Sequence, residues 1–225
     1  MTPADIDRSE ILQYLRTPVL DEQLSVQLET AIEELCRAAQ PRTLWRQLPL
    51  THTDSGVLLG TLTLMGKDIA LHLSGCEAAV LLAATLSGST DRLIRRAERS
   101  DMTKALLLDA AAGAAIEHLC NRLEQELKQT LPYPYFTERF SAGYGDFPIS
   151  QQADLVRLLN AEKRIGLTVT PQSTMLPMKS VTALIGLSHQ PVKDARRFCC
   201  GSSCAECPYR EGCAGSGGKS QSPLI

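Results

Sequence analysis

The sequence predicts an α+β fold in which an antiparallel sheet is flanked by helices. Three observations carry this. Long amphipathic segments at 21–39 and 89–131 are interspersed with short strand-like runs at 43–50, 57–64, 165–170 and 180–187. The first pair of runs is joined by a turn sequence and the last pair by a nine-residue loop, which favours hairpins over crossovers. The order of helices and strands is mixed and no internal repeat is visible, so a regular βα succession is excluded.

The elements follow in order. "EILQYL" reads as a short helix with Ser9 as its cap and Pro18 beyond its end. In 21–39, Leu24, Leu28, Ala31, Ile32 and Leu35 recur at helical spacing with acids between them. "TLWRQLPL" (43–50) alternates loosely, "THTDSG" is a turn, and "VLLGTLTL" (57–64) reads as the partner strand. "KDIALHL" before Gly75 has the form of a short helix with a glycine stop. "EAAVLLAATL" (77–86) is apolar on every side, and periodicity leaves buried strand and buried helix both open. The segment 89–131 reads as two helices broken near Asp101; the small residues of "DAAAGAA" in the second let another element approach closely. Residues 138–148 form a glycine-rich loop, 150–164 a helix capped by Ser150, and "IGLTVT" (165–170) and "SVTALIGL" (180–187) two strands. After Pro191 core residues become scarce. Residues 1–195 are therefore read as one domain, 196–213 as a cysteine-rich tail and 214–225 as a flexible end.

Bulk properties narrow the function. The chain has 225 residues, 44% of them apolar and only 4% aromatic, a net charge of −2 and a pI near 6.1. Such a charge gives no reason to expect a nucleic-acid partner. The start carries acidic residues and no long apolar stretch, and the run 78–86 is too short to span a bilayer. A cytoplasmic protein without a membrane partner is the expectation, and clustered cysteines there point to metal or redox chemistry rather than disulfides.

Five of eight cysteines lie in "RFCCGSSCAECPYREGC" (197–213). Cys200, Cys204 and Cys207 have the C-x3-C-x2-C spacing of radical S-adenosylmethionine enzymes. Those enzymes build a barrel after the motif, and only 18 residues follow Cys207 here, so that reading fails. A local site remains. Cys200, Cys204, Cys207 and Cys213 supply the four thiolates that an iron–sulfur cluster or a zinc ion needs, with Cys199 as a spare. The compact, uneven run favours the cluster, and zinc stays open. Cys36, Cys76 and Cys120 sit in apolar surroundings and read as buried thiols.

The second feature is "RFSAGYGDFP" (139–148). Gly143 and Gly145 free the backbone for close ligand approach. Arg139 offers a planar fork for a carboxylate, and Tyr144 a flat face and a hydroxyl. A charged small molecule with an aromatic base would suit this loop. A plain structural turn, with Arg139 in a surface ion pair, fits the composition equally.

The stretches "RFSAGYGDFPISQQADLVRLL" and "IGLTVTPQSTMLPMKSVTALIGLSH" together resemble the activation domain of cobalamin-dependent methionine synthase. Arg139, Gly143 and Tyr144 match that family's R-x-x-x-G-Y motif, and Pro177, Ser180 and Val181 its P-x-x-S-V step. The resemblance is most specific over 138–189, and the early helix and terminal cysteines are typical of the free-standing bacterial form. It implies that S-adenosylmethionine binds the loop, with Arg139 on the methionine carboxylate, Ala142 and Gly143 lining the ligand and Tyr144 shaping the pocket. The family also uses an upstream acid, for which Asp109 is the candidate. The implied function is accessory: reductive remethylation of inactive cob(II)alamin held by the cobalamin-binding module of methionine synthase. A flavodoxin- or ferredoxin-type donor gives the electron, and cobalamin is met only through the partner. The departures are Ser188-His189-Gln190-Pro191, which leads on without the family's tyrosine pair, and Lys179, which stands where a small residue is usual. Isolated His72, His118 and His189 read as ordinary histidines. The competing implication is a module that clamps a corrinoid protein without ligand chemistry, its tail stiffened by zinc, or one that serves another corrinoid methyltransferase.

Overall fold

The structure is a computed structural model that describes residues 1–53 and 56–192. Its elements are α1 (Arg8–Tyr14), α2 (Glu22–Ala38), β1 (Arg42–Thr53), β2 (Gly56–Leu59), β3 (Leu62–Leu64), α3 (Lys67–His72), β4 (Ala78–Thr85), α4 (Gly88–Glu98), α5 (Met102–Thr130), β5 (Tyr135–Phe136), α6 (Gln152–Leu159), α7 (Ala161–Ile165), β6 (Thr168–Val169), β7 (Met175–Leu176) and β8 (Ser180–Ser188). Two 3-10 turns, Pro3–Asp5 and Ile149–Gln151, complete them. The expected α+β class with an antiparallel sheet holds. The tail from 193 onward, with the expected boundaries at 195 and 213, lies outside the described residues.

Six strands form one sheet in the order β3-β2-β1-β4-β8-β5, and β6 and β7 form a separate hairpin. β1 and β2 pair antiparallel with Leu50 opposite Leu59 and Thr53 opposite Gly56. β5 pairs antiparallel with β8, Tyr135 opposite Ser188. The ambiguity of 77–86 resolves as a strand. All eight residues of β4 are buried, as are all nine of β8. A strand covered on both faces loses the alternation that betrays a half-exposed one.

The chain divides into two compact units, Met1–Arg46 with Leu81–Pro132 and Gln152–Thr182, and Gln47–Val80 with Tyr133–Gln151 and Ala183–Ile225. In the first unit, α5 packs against α1, α2 and α4. The small residues at its centre are buried, and a Cβ on Gly113 would meet the Tyr14 ring of α1 at 3.1 Å. That is the close approach the small-residue run foretold. Asp101 caps α5 by accepting the Lys104 N–H at 3.0 Å, and Asp21 caps α2 by accepting that of Leu24 at 2.7 Å.

Four expectations about elements are corrected. Asp7, not Ser9, caps α1, accepting the Ser9 N–H. The run 57–64 is not one strand but β2 and β3, turned back on each other at Gly60, whose φ of +60° suits glycine. The expected helix 150–164 is a 3-10 turn, α6 and α7, broken where Asn160 takes φ +53°. The expected strand 165–170 shrinks to Thr168–Val169, because Ile165 ends α7 and Gly166 caps it at φ +73°.

Candidate functional site

The loop 138–151 belongs to the second unit, and local chemistry fixes it at both ends. At its entry, Phe140 and Leu184 of β8 exchange both backbone hydrogen bonds, at 2.9 and 2.8 Å. His72, buried at the end of α3, has Nε2 2.9 Å from the Glu138 carbonyl and 2.8 Å from Thr137 Oγ1. Burial lowers the pKa of His72, so the neutral ring donates there. The His72 and Phe140 rings lie 4.8 Å apart.

Beyond Phe140 the loop makes two successive turns. The Tyr144 N–H donates to the Ser141 carbonyl at 3.2 Å, and the Phe147 N–H to the Tyr144 carbonyl at 2.9 Å. Gly143 sits third in the first turn with φ +98°, where an L side chain is strained. Gly145 sits second in the next turn with φ +53°. Phe147 is 1% exposed and anchors the loop. Burying such a side chain contributes roughly 1.5–3 kcal/mol.

The exit of the loop is clasped to α3. The Asp146 carboxylate accepts the Lys67 N–H at 2.8 Å and the Asp68 N–H at 2.9 Å, while the Asp146 N–H donates to Asp68 Oδ2 at 3.0 Å. The backbone hydrogen bonds from Asp68 and Lys67 hold the Asp146 carboxyl below the usual carboxylate range. A Cβ on Gly145 would collide with the Asp68 carboxylate, and one on Gly66 would meet Asp146 Oδ1 at 2.7 Å. Gln151 then ties the chain to β3, accepting the Met65 N–H at 2.6 Å and donating to the Thr63 carbonyl at 2.8 Å. None of Asp68, Asp146 and Gln151 stood out in the sequence. The only available signal was the pairing of two glycines with a nearby aspartate.

The expected ligand residues of the loop are thus brought together on one rigid segment. Arg139 is half-buried and partnered within the protein, Ala142 is buried, Gly143 is exposed, and Tyr144 is half-buried with its ring edge-on to Phe140 at 6.2 Å. The two glycines have different work. Gly145 lets the loop close on Asp68, whereas Gly143 is exposed, its N–H held by the Phe147 carbonyl at 2.8 Å.

Asp109 lies in the first unit, on α5. It is half-exposed and its Oδ1 meets Lys179 Nζ at 3.0 Å. Lys179, the residue that stands where a small one is usual, is engaged by this pairing. The buried acid of α5 is Glu117, 5% exposed, which no motif marks in the sequence. After β8, His189 is oriented by Glu77, with Nδ1 2.7 Å from Oε2, and its ring lies 4.7 Å from that of Tyr133. A tyrosine therefore does reach this region, from a different point in the chain, and its hydroxyl accepts the Gln47 amide at 3.2 Å.

Cys76 and Cys120 are buried and Cys36 is half-buried, and none of the three is in a disulfide. Burial pushes the Cys76 thiol up to about 11. Among the described residues no group of three or more His, Cys, Asp or Glu side chains could hold a metal, and no helix is long and apolar enough to cross a membrane. Cys200, Cys204, Cys207 and Cys213 lie outside the described residues.

Residues 102–205 match the model of a family described as the activation domain of vitamin B12 dependent methionine synthase. The match takes in the loop, its R-x-x-x-G-Y residues and β8. No curated protein matches the chain. Among solved structures, the fold matches the crystal structure of the MetH reactivation domain bound to AdoHcy, with a TM-score of 0.66 and 15% identity over 96% of this chain and 85% of that one. The family match ties residues 102–205 to the activation domain of vitamin B12-dependent methionine synthase, and the structural match shows that the chain has the fold of such a domain.

Proposed function

We propose that the chain binds S-adenosylmethionine on the loop 138–148 and serves the reductive remethylation of cob(II)alamin held by the cobalamin-binding module of methionine synthase. The carrying observation is the loop itself. It is held at both ends, and between them an exposed glycine at φ +98° is flanked by Arg139 and Tyr144. That segment fits the ligand. The Arg139 guanidinium suits the methionine carboxylate, the backbone at Ala142 and Gly143 admits close approach, and Tyr144 walls the pocket. The structural neighbour was crystallised with AdoHcy, the demethylated form of the same molecule, which supports the reading. Asp109 is carried forward on the resemblance alone, as the candidate for the family's upstream acid; it is half-exposed and paired with Lys179.

The reaction explains why a rigid loop is wanted. Reducing the corrinoid is unfavourable, so little of it is reduced at any moment. Methyl transfer that is fast and irreversible drains that small population forward. The activator's contribution is to hold the sulfonium methyl in place, and ordering the ligand beforehand is worth more than contact area. The electron comes from a flavodoxin- or ferredoxin-type donor in the cytoplasm. Cys200, Cys204, Cys207 and Cys213 bind an iron–sulfur cluster, or zinc in its place, and a cluster would receive or relay that electron.

Titration of the isolated chain with S-adenosylmethionine and AdoHcy tests the site. Both should bind, and Arg139→Ala should weaken binding by roughly tenfold to a hundredfold, the loss of a charged hydrogen-bond pair. A folded wild-type chain that binds neither would refute the proposal in favour of a clamp without ligand chemistry.

A further inference from the structure

We propose that the outer face of α4 is a docking surface for an acidic protein, which under the function proposed above is the electron donor. Arg92, Arg95 and Arg96 lie on α4, Arg99 caps its C-terminus, and all four are exposed. Positions 92, 96 and 99 stand at i, i+4 and i+7, so three guanidinium groups share one stripe about 10 Å long, with Arg95 beside it. The opposite face, Thr90, Ile94 and Ala97, is buried against the protein.

Among the described residues several basic side chains outside α4 are held in ion pairs, Arg8 with Glu29, Lys104 with Glu34, Arg122 with Glu126, Lys128 with Glu124 and Arg157 with Asp154, and the exposed ones that are not, such as Arg42, Lys67 and Lys163, are not gathered four to a single helix. None of the ion pairs recorded among the described residues involves the four arginines. Glu98 is the one exposed acid on α4 and meets none of them. Asp91 is turned inward, where its Oδ2 accepts the Met178 N–H at 2.9 Å. Two acids of the packed helices are occupied, Asp101 as the cap of α5 and Glu34 with Lys104.

Helix electrostatics do not account for this arrangement. The C-terminal dipole favours Arg95, Arg96 and Arg99, but Arg92 lies too far from that end to gain from it. The like-charge neighbours 92/96 and 95/99 at i, i+4 destabilise the helix. A chain of net charge −2 has thus concentrated four unpaired arginines on one short helix. Arginine forks engage carboxylates in pairs, and a complementary acidic patch relieves the repulsion on contact. A polyanion such as RNA fits less well. The stripe is one helix wide, the overall charge is negative, and α4 has no aromatic side chain on which a base could stack.

The test uses the full chain, its Arg92→Glu/Arg96→Glu/Arg99→Glu variant, and a strongly acidic flavodoxin as the probe. Association is measured at low and high ionic strength without corrinoid or S-adenosylmethionine, with matched melting curves showing that both chains are folded. The wild type should associate at least about tenfold faster than the variant at low salt. That advantage should vanish as salt screens it. Equal rates, no flavodoxin binding by the wild type, or arginine-dependent capture of a short RNA instead would each overturn the docking surface. Remethylation driven by a chemical reductant should be the same in both chains. Its failure in the wild type would count against the proposed function and leave the binding comparison standing.

Discussion

Gly145 and Gly143 are two residues apart, and composition alone offers no way to say what each does for the loop. The fold does. Gly145→Ala forces an L residue to φ +53° and drives its Cβ into the Asp68 carboxylate, so the clasp on α3 must open. We expect it to lower unfolding stability by roughly 1–3 kcal/mol in a denaturant titration. Gly75→Ala, at φ +78° with open space around it, is the control and should cost only the backbone strain. Asp146 makes a second prediction. Its carboxyl titrates below the ordinary range because the folded protein donates two N–H groups to it. A depressed folded pKa stabilises the native state above the unfolded value, about pH 4, and that contribution is lost as pH falls through the lowered value. Asp146→Asn should flatten the acid limb of the stability profile; an unchanged limb would show that the clasp is not coupled to folding. Arg139, Gly143 and Tyr144 stand out in the sequence because a motif marks them. Asp68, Gln151 and Glu117 do not, since their importance comes from partners distant in sequence.

Among the elements, α5 shows what composition can and cannot say. Its run of small residues announced a close neighbour but not which one; α1 fills that place through Tyr14. Gly113→Val should therefore overpack this contact and destabilise the chain by roughly 1–3 kcal/mol. Asp101→Ala should remove the N-cap of the same helix at a cost of about 1 kcal/mol. A thermal melt of each variant checks both, and a neutral Gly113→Val would mean that α1 can withdraw freely. The strands were harder to read. β4 and β8 are buried on both faces, so period-two alternation is absent where the sheet is most secure. β5, β6 and β7 have two residues each and owe their pairing to the strands or turns beside them. The error at 57–64 has a single cause: Gly60 looks like one weak strand position but takes the left-handed conformation that reverses the chain.

For the whole molecule, the mixed order of helices and hairpins was enough to give the α+β class, while the sheet order β3-β2-β1-β4-β8-β5 was beyond it, because β1, β4 and β8 meet from distant parts of the chain. Under the proposed function, the activation-domain fold, the loop 138–148 and the thiolate-rich tail serve one accessory role. Anaerobically prepared protein should carry iron and sulfide bound by the tail, and Cys204→Ser should lower both; zinc in their place would leave the tail structural and take the electron relay away. The measurement that tests the central claim most directly follows the corrin spectrum of inactive cob(II)alamin methionine synthase, supplied with a reductant and S-adenosylmethionine, with and without this chain. The account predicts that methylcobalamin forms only when the chain and S-adenosylmethionine are both present, and that Arg139→Ala abolishes most of the gain. An unchanged spectrum, with the synthase shown competent by chemical remethylation, would contradict it.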